Sequence, residues 1–275
     1  MCGRYVIVTK INKIEKRFNV EASDSSGYQP NVNVSHGNMA PVITNDKPNE
    51  LQFFMFGFSP SWASKLTYIV NARAEGDQNK ENDPKYSGGF GIIRKPMFRQ
   101  AIRSTRCLIP ADCFIEGSHH YGLSKPYAIY KQNGDRPFSF AGIWDEWVDK
   151  STGEVFKTFA IITTMSNTVT QAIGHPRSPV MLSREEESIW LSNDSDLNEI
   201  TTLLKPYPGD ELNAYPISAA IKSPTANGMD LLRPVGQRLS KEYDYEIYNV
   251  LEVEGMGESK DKKRFERGTQ GNLFD

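Results

Sequence analysis

The second residue of the chain is a cysteine, set in the opening run Met1-Cys2-Gly3-Arg4-Tyr5. Chain ends are usually the least ordered part of a domain, so reactive residue types gathered there call for a chemical reading. Initiator methionine is commonly removed when the next residue is small. Its removal here would leave a cysteine whose free α-amine stands beside its thiol. An α-amine has a reference pKa of about 7.7 to 8.0, so an appreciable neutral fraction exists near neutral pH, whereas a lysine is almost wholly protonated. A neutral amine attacks an aldehyde to give a Schiff base. The neighbouring thiol can then add to the imine carbon and close a five-membered thiazolidine ring. No other terminal residue supplies nitrogen and sulfur in that geometry.

Three further stretches set polar groups among apolar neighbours: Asn71 and Arg73 in NARAE, Glu116 in PADCFIEG, and His175 and Arg177 in IGHPRSPVML. Taken singly, each has a plain explanation, a solvated glutamate or a satisfied core histidine. The cysteines are three, Cys2, Cys107 and Cys113, with no C-x-x-C spacing, so neither a disulfide framework nor a zinc site is expected. No cofactor is expected.

These residues need a scaffold. With 275 residues, 38% hydrophobic and 24% charged, the composition is that of an ordinary globular protein able to bury a sizeable core. No apolar run approaches the roughly 20 residues of a membrane span, and the start lacks a secretory signal pattern, so a cytoplasmic monomer is expected. The net charge of -2 excludes coating of nucleic acid by bulk electrostatics and leaves room only for a local patch. RKPMFRQAIRSTR, Arg94 to Arg106, carries five basic residues and no acidic one, and reads as a basic helix.

Ile11, Ile14 and Phe18 fall at helical spacing. The Ser-, Asn-, Gly- and Pro-rich stretch from Glu21 to Pro48 reads as loop. LQFFMFGFS and YIVNARAE read as strands, and RCLIPADCFIEG as strand, turn and strand. Two strand patterns flank Asn133-Gly134, a strong turn signal, and FKTFAIITTMSN is a continuous strand. Ser183 and Glu186 form a capping box before one helix, and DLNEITTLLKPY gives another. The expectation is an α+β fold of mainly antiparallel strands with flanking helices over residues 2–236. A charged tail follows over 237–275.

MCGRY, SPSWA, NARAE, RCLIPAD-x-F-x-E and H-x-R-x-P-V-x-L, in this order and spacing, closely resemble the SRAP family, the SOS-response-associated peptidase domain proteins that act as abasic-site processing proteins. The likeness runs to about Pro234. It implies a substrate, the ring-opened aldehyde of an abasic site in single-stranded DNA, with Cys2 as the covalent nucleophile. It implies Glu116 as an acid/base carboxylate and His175 as a second proton-transfer group. Asn71 would orient the amine and adduct, and Arg4, Arg73 and Arg177 would grip flanking phosphates as bidentate forks. A raised pKa would suit Glu116, and a value near 6.5 would suit His175.

The chain departs from the family pattern at several positions. Gly117 stands where a tryptophan often follows the glutamate, Cys113 replaces a glycine, His36 falls where a proline is usual, and Phe56-Gly57 replaces a tryptophan-led pair. His36 or Trp62 would then supply a stacking face for bases. At the far end Gln270, Leu273 and Phe274 fit the Q-x-x-L-F pattern of peptides that bind the bacterial sliding clamp. Two rival readings remain beside covalent capture: a Cys2-dependent peptidase or amidohydrolase, and a non-covalent single-stranded DNA binder with a structural Cys2.

Overall fold

The β-branched and aromatic runs Phe138–Val148 and Val155–Met165 are eleven-residue antiparallel strands, mostly buried on both faces, and the rest of the molecule is built around them. The structure, a computed structural model, describes residues 2–24 and 28–241. In chain order its strands begin with β1 (Tyr5–Ile7), β2 (Glu21–Ala22), β3 (Asn31–Val34), β4 (Met39–Thr44), β5 (Lys47–Phe56), β6 (Asn71–Arg73) and β7 (Arg106–Ala111). They continue with β8 (Cys113–Gly117), β9 (Pro126–Lys131), β10 (Phe138–Val148), β11 (Val155–Met165), β12 (Arg177–Pro179), β13 (Met181–Leu182) and β14 (Leu212–Pro216). The helices are α1 (Ile11–Phe18), α2 (Ala101–Ser104), α3 (Thr168–Ala172), α4 (Arg184–Leu191) and α5 (Leu197–Thr202).

One sheet has the order β14-β9-β8-β1-β3, and the other runs β12-β11-β10-β7-β4-β5-β2. A parallel pairing of β5 with β11 at Thr158–Met55 and Phe159–Phe56 closes the second sheet on itself. The expected α+β class with mainly antiparallel pairing is what the fold displays. Tyr5 of the first sheet meets Phe56 and Phe140 of the second edge-on, with ring centroids 5.6 and 6.0 Å apart. This aromatic contact locks the two sheets together directly beneath the N-terminus.

Two readings of the sequence need correction. Glu21 to Pro48 is not loop: it carries β2, β3, β4 and the start of β5. Turn-forming residues stand inside these strands, Asn31 and Asn33 in β3 and Pro41 in β4, while β2 pairs with β5, β3 with β1, and β4 with both β5 and β7. The basic segment is not one helix, because Pro96 has no N–H to donate and disfavours helix in the residue before it. A single 3-10 turn at Gly91–Ile93 and the one-turn α2 take its place. The expected turn at Asn133-Gly134 forms between two strands, which belong to different sheets, since β9 pairs with β8 and β14 while β10 pairs with β7, β11 and β13. Both expected helices near residues 184 and 197 form, and the Ser183–Glu186 capping box is present.

Backbone bonding continues past residue 236: Leu239 N–H donates to Ala214 O at 2.9 Å, and Asn213 Nδ2 to Ser240 O at 2.9 Å. The clamp-like residues Gln270, Leu273 and Phe274 lie outside the described residues. Among the described residues no helix is long and apolar enough to cross a membrane.

Candidate active site

Strand β1 lies between β8 and β3, with Tyr5 opposite Phe114 and Val6 opposite Cys113. Ile115 N–H donates to Arg4 O at 2.9 Å, so the same register carries Gly3 to Glu116 and delivers Cys2 beside that carboxylate. The far end of β1 is pinned by Asp112, which accepts from Val8 N–H at 2.6 Å, Thr9 N–H at 2.9 Å and the Thr9 hydroxyl at 2.5 Å. Asp112 thus anchors the strand that presents Cys2, a role that nothing in the sequence marked although the residue sits in PAD.

Cys2 is 1% exposed. Asn71, at the head of β6, donates from Nδ2 to Cys2 O at 2.9 Å, while its buried Oδ1 has no partner among the described residues. Burial pushes the Cys2 thiol well above its ordinary value, and the Glu116 carboxylate, which it meets by a side-chain hydrogen bond, adds to the rise. Burial likewise raises Glu116 to about 7. The expected desolvation of that group is therefore present.

Glu116 Oε2 lies 3.3 Å from His175 Nε2, both side chains being buried. His175 Nδ1 is 2.9 Å from the Arg177 carbonyl, which can only accept, so the proton belongs on Nδ1 and the lone pair of Nε2 faces Glu116. Burial pushes His175 down to about 4, not the unperturbed value expected of it. The pair therefore holds its proton on the carboxyl side near pH 6, as a carboxylic acid facing a neutral imidazole. Gly174, at a φ of 74°, turns the chain out of α3 and aims His175 inward.

A cavity of about 350 Å³ opens over this pair, lined among others by Arg4, His36, Glu116, His119, Leu123 and His175. His36 stands on its rim, edge-on to Tyr68 at 6.0 Å, and both rings are exposed. Trp62 is 63% exposed but lines no part of the cavity. Its loop is held on the end of β10 by Ser61 N–H to Asp145 at 2.9 Å and Trp147 Nε1 to Ala63 O at 2.8 Å. Tyr68 and His119 were missed from sequence, where nothing marked either residue.

The absence of the tryptophan at 117 has a steric cause. A Cβ there would stand 1.8 Å from Gly122 O, because the segment Ser118–Lys125 folds back over β8. His119 N–H donates to Gly174 O at 2.8 Å, tying this segment to the residue before His175. The segment itself forms the cavity wall.

The three arginines differ. Arg4 lines the cavity and reaches Lys222 O at 3.3 Å. Arg73 follows Asn71 by two residues and donates to Asn79 O and to Asn82 Oδ1. Arg177, expected to grip a flanking phosphate, is 3% exposed and bonded to Glu75 Oε2 at 2.7 Å and Thr163 O at 2.9 Å. A buried guanidinium needs such a partner. Its Nε and the second terminal nitrogen carry no hydrogen-bond partner among the described residues. Glu75, the last letter of NARAE, was not singled out from sequence.

A family model, SOS response associated peptidase (SRAP), matches residues 1–224. The chain belongs to the SRAP family. Abasic site processing protein YoqW of Bacillus subtilis (strain 168) is 32% identical over 238 residues, 84% of this chain and 99% of that protein. Abasic site processing protein YedK of Escherichia coli (strain K12) is 23% identical over 246 residues, 86% of this chain and all of that one. Among solved structures, a Bacteroides thetaiotaomicron protein shares 30% identity at a TM-score of 0.71, covering 85% of this chain and 100% of its own. The two cavity-lining positions that depart from the SRAP pattern, His36 and Gly117, leave Cys2, Asn71, Glu116 and His175 in one cluster.

Proposed function

We propose that this SRAP protein binds abasic sites in single-stranded DNA and captures them covalently through Cys2 after removal of Met1, forming a thiazolidine that shields the lesion. The observation that carries the reading is that Cys2 meets Asn71 and Glu116, and that Glu116 in turn faces His175 in the lining of one cavity.

The chemistry follows from the protonation states. The Cys2 thiol stays protonated at neutral pH, so the α-amine attacks first, at C1′ of the ring-opened sugar. Asn71, already on the Cys2 carbonyl, has an acceptor left to orient that amine. The protonated Glu116 gives its proton to the departing hydroxyl, water leaves, and an iminium forms. Sulfur then adds to the imine carbon as the iminium nitrogen takes the electron pair, and the thiol proton returns to the Glu116 carboxylate. One water is released and nothing is oxidised or reduced. A saturated ring at C1′ leaves no imine to drive loss of the 3′ phosphate. Arg4 and Arg73 would grip the flanking phosphates, Arg177, being buried on Glu75, would act from beneath the site, and His36 would stack on a base.

A thiol raised by burial is the opposite of what a cysteine hydrolase needs, since the thiolate is the nucleophile there. The decisive test incubates the protein with an oligonucleotide bearing one abasic site and runs a denaturing gel. A heat-stable shifted band is expected, and it should vanish in Cys2→Ala. A band that survives that change, or intact-mass data showing Met1 retained in the linked species, would overturn the reading.

The same proposal extends to the last residues: Gln270, Leu273 and Phe274 would bind a sliding clamp. Pull-down with purified clamp should capture the full chain and not one ending at Gly268. Equal capture removes the idea.

A further inference from the structure

The basic segment that follows β6 takes no part in the centre described above, yet it is built with care. Arg106 is buried, donating to Trp190 O at 2.8 Å, Ser192 O at 2.6 Å and Arg103 O at 2.6 Å, and so anchors the foot of the segment. Lys95 is engaged by Asp77 at 2.8 Å. The remaining three, Arg94, Arg99 and Arg103, are exposed and converge with Ile93 and Gln100 on one concavity of about 520 Å³. None of the three has a carboxylate partner among the described residues. Arg103 is held in place by bonds to Ile93 O at 2.8 Å and Arg99 O at 2.5 Å. Three like charges gathered on one surface without a counter-charge repel one another, and an anion seated among them relieves that repulsion.

The topology links this concavity to the reactive centre. Asn71 opens β6 at Cys2, Arg73 closes it, and Ile92 N–H donates to Ala74 O at 3.0 Å. The Cα path from Asn71 through Ala74 and Ile92 to Arg94 is therefore no longer than about 25 Å. That lies within the reach of the roughly 4 to 16 nucleotides a single-strand-binding domain covers. Guanidinium forks on a concave surface suit phosphodiester oxygens, and the lack of an aromatic ring among the lining residues suits backbone contact without base reading.

We infer that the Arg94–Arg99–Arg103 concavity is a second anion site, holding phosphodiesters of the undamaged strand several nucleotides from the lesion. This inference rests on the covalent-capture reading for its substrate, and the test separates the two. Abasic oligonucleotides of roughly 3 and 25 nucleotides are compared, the shorter below the roughly 4 to 16 nucleotides that a single-strand-binding domain covers. With sub-saturating wild-type protein, cross-linking of the longer should be about tenfold faster. Arg94→Gln/Arg99→Gln should erase most of that gain, and Arg94→Lys/Arg99→Lys, which keeps the charge, should restore part of it. For binding of the undamaged longer strand, the log K against log salt slope should shrink by about 0.7 per arginine removed.

An undiminished length gain together with an unchanged salt slope overturns the inference. If the wild type links to neither oligonucleotide, the covalent reading falls, and the salt slope on undamaged strand still decides the second site. If a few millimolar inorganic phosphate abolishes strand binding while chloride of equal ionic strength spares it, the site belongs to free phosphate and the strand assignment is wrong.

Discussion

Glu116 and His175 face each other at 3.3 Å, with the carboxyl raised to about 7 and the imidazole lowered to about 4, both chiefly by burial. The proton needed for dehydration and the base needed for thiol addition are therefore one group in two states. Capture also requires a neutral α-amine, whose reference value is about 7.7 to 8.0. Rate should rise with pH as the amine deprotonates and fall as Glu116 ionises, giving a bell centred between about 7 and 8. Glu116→Gln should remove the falling limb and slow linking about 100-fold or more, with oligonucleotide binding retained. Stability supplies an independent readout of the same group. A carboxyl whose folded pKa lies above its unfolded value destabilises the fold above about pH 7 and is neutral below about pH 4.5, where both states are protonated. The Gln variant escapes this. Urea unfolding should find it more stable than wild type at pH 7.5, by on the order of 3 kcal/mol, with the advantage gone near pH 4.5. A difference constant across that range would show that Glu116 is not held protonated by its surroundings.

At the scale of elements, the site is an accident of no single strand: β1 brings Cys2, β6 Asn71, β8 Glu116, and the turn after α3 His175. The segment Ser118–Lys125 braces two of these, since it packs on Gly117 and bonds to Gly174. Gly117→Ala places a methyl 1.8 Å from Gly122 O and forces the segment off β8. Overpacking of this kind costs about 1 to 3 kcal/mol. Denaturant unfolding should show that loss, and cross-linking should slow more than the stability change explains, because the wall and His175 move together. Wild-type linking rates in a folded variant would detach the segment from the site. These relations set the limit of what sequence could tell. Cys2, Asn71, Glu116 and His175 were legible because each sits in a motif whose local spacing survives folding. The burial of Arg177 was not, since Glu75 is 102 residues away in sequence and meets it only when β6 and β12 flank β11. The strands between Glu21 and Pro48 were hidden for a more local reason, the turn-forming residues within and between them. Their β-character is conferred by partners, against a local composition of turn formers.

At the scale of the molecule, β1, which follows Cys2, and the last described residues are joined through one five-stranded sheet. β1 is its fourth strand and β14 its edge, and residues 235–240 run along that edge, Val235 N–H bonding to Pro216 O at 2.8 Å. Beyond Gly236 the edge is held by Leu239 N–H to Ala214 O at 2.9 Å and a reciprocal pair between Ser240 and Asn213 at 2.9 and 3.0 Å. Arg238 Nε adds a bond to the Tyr130 hydroxyl at 3.1 Å. Asn213 is fully buried, so cutting the chain at Gly236 strips its Oδ1 and Nδ2 of their Ser240 partners. Each lost bond is worth about 1 kcal/mol, and a domain of this size shifts by about 2 to 4 °C for each kcal/mol. A chain ending at Gly236, which loses these four bonds, should therefore melt roughly 8 to 16 °C below one ending at Lys241. Both should link to an abasic oligonucleotide at the same rate at low temperature, because every reactive side chain lies before residue 178. Equal melting temperatures would show that the edge contributes nothing to the sheet. A rate that fell with the truncation at low temperature would show that β14 steers Cys2 through β9 and β8, across the full width of the sheet.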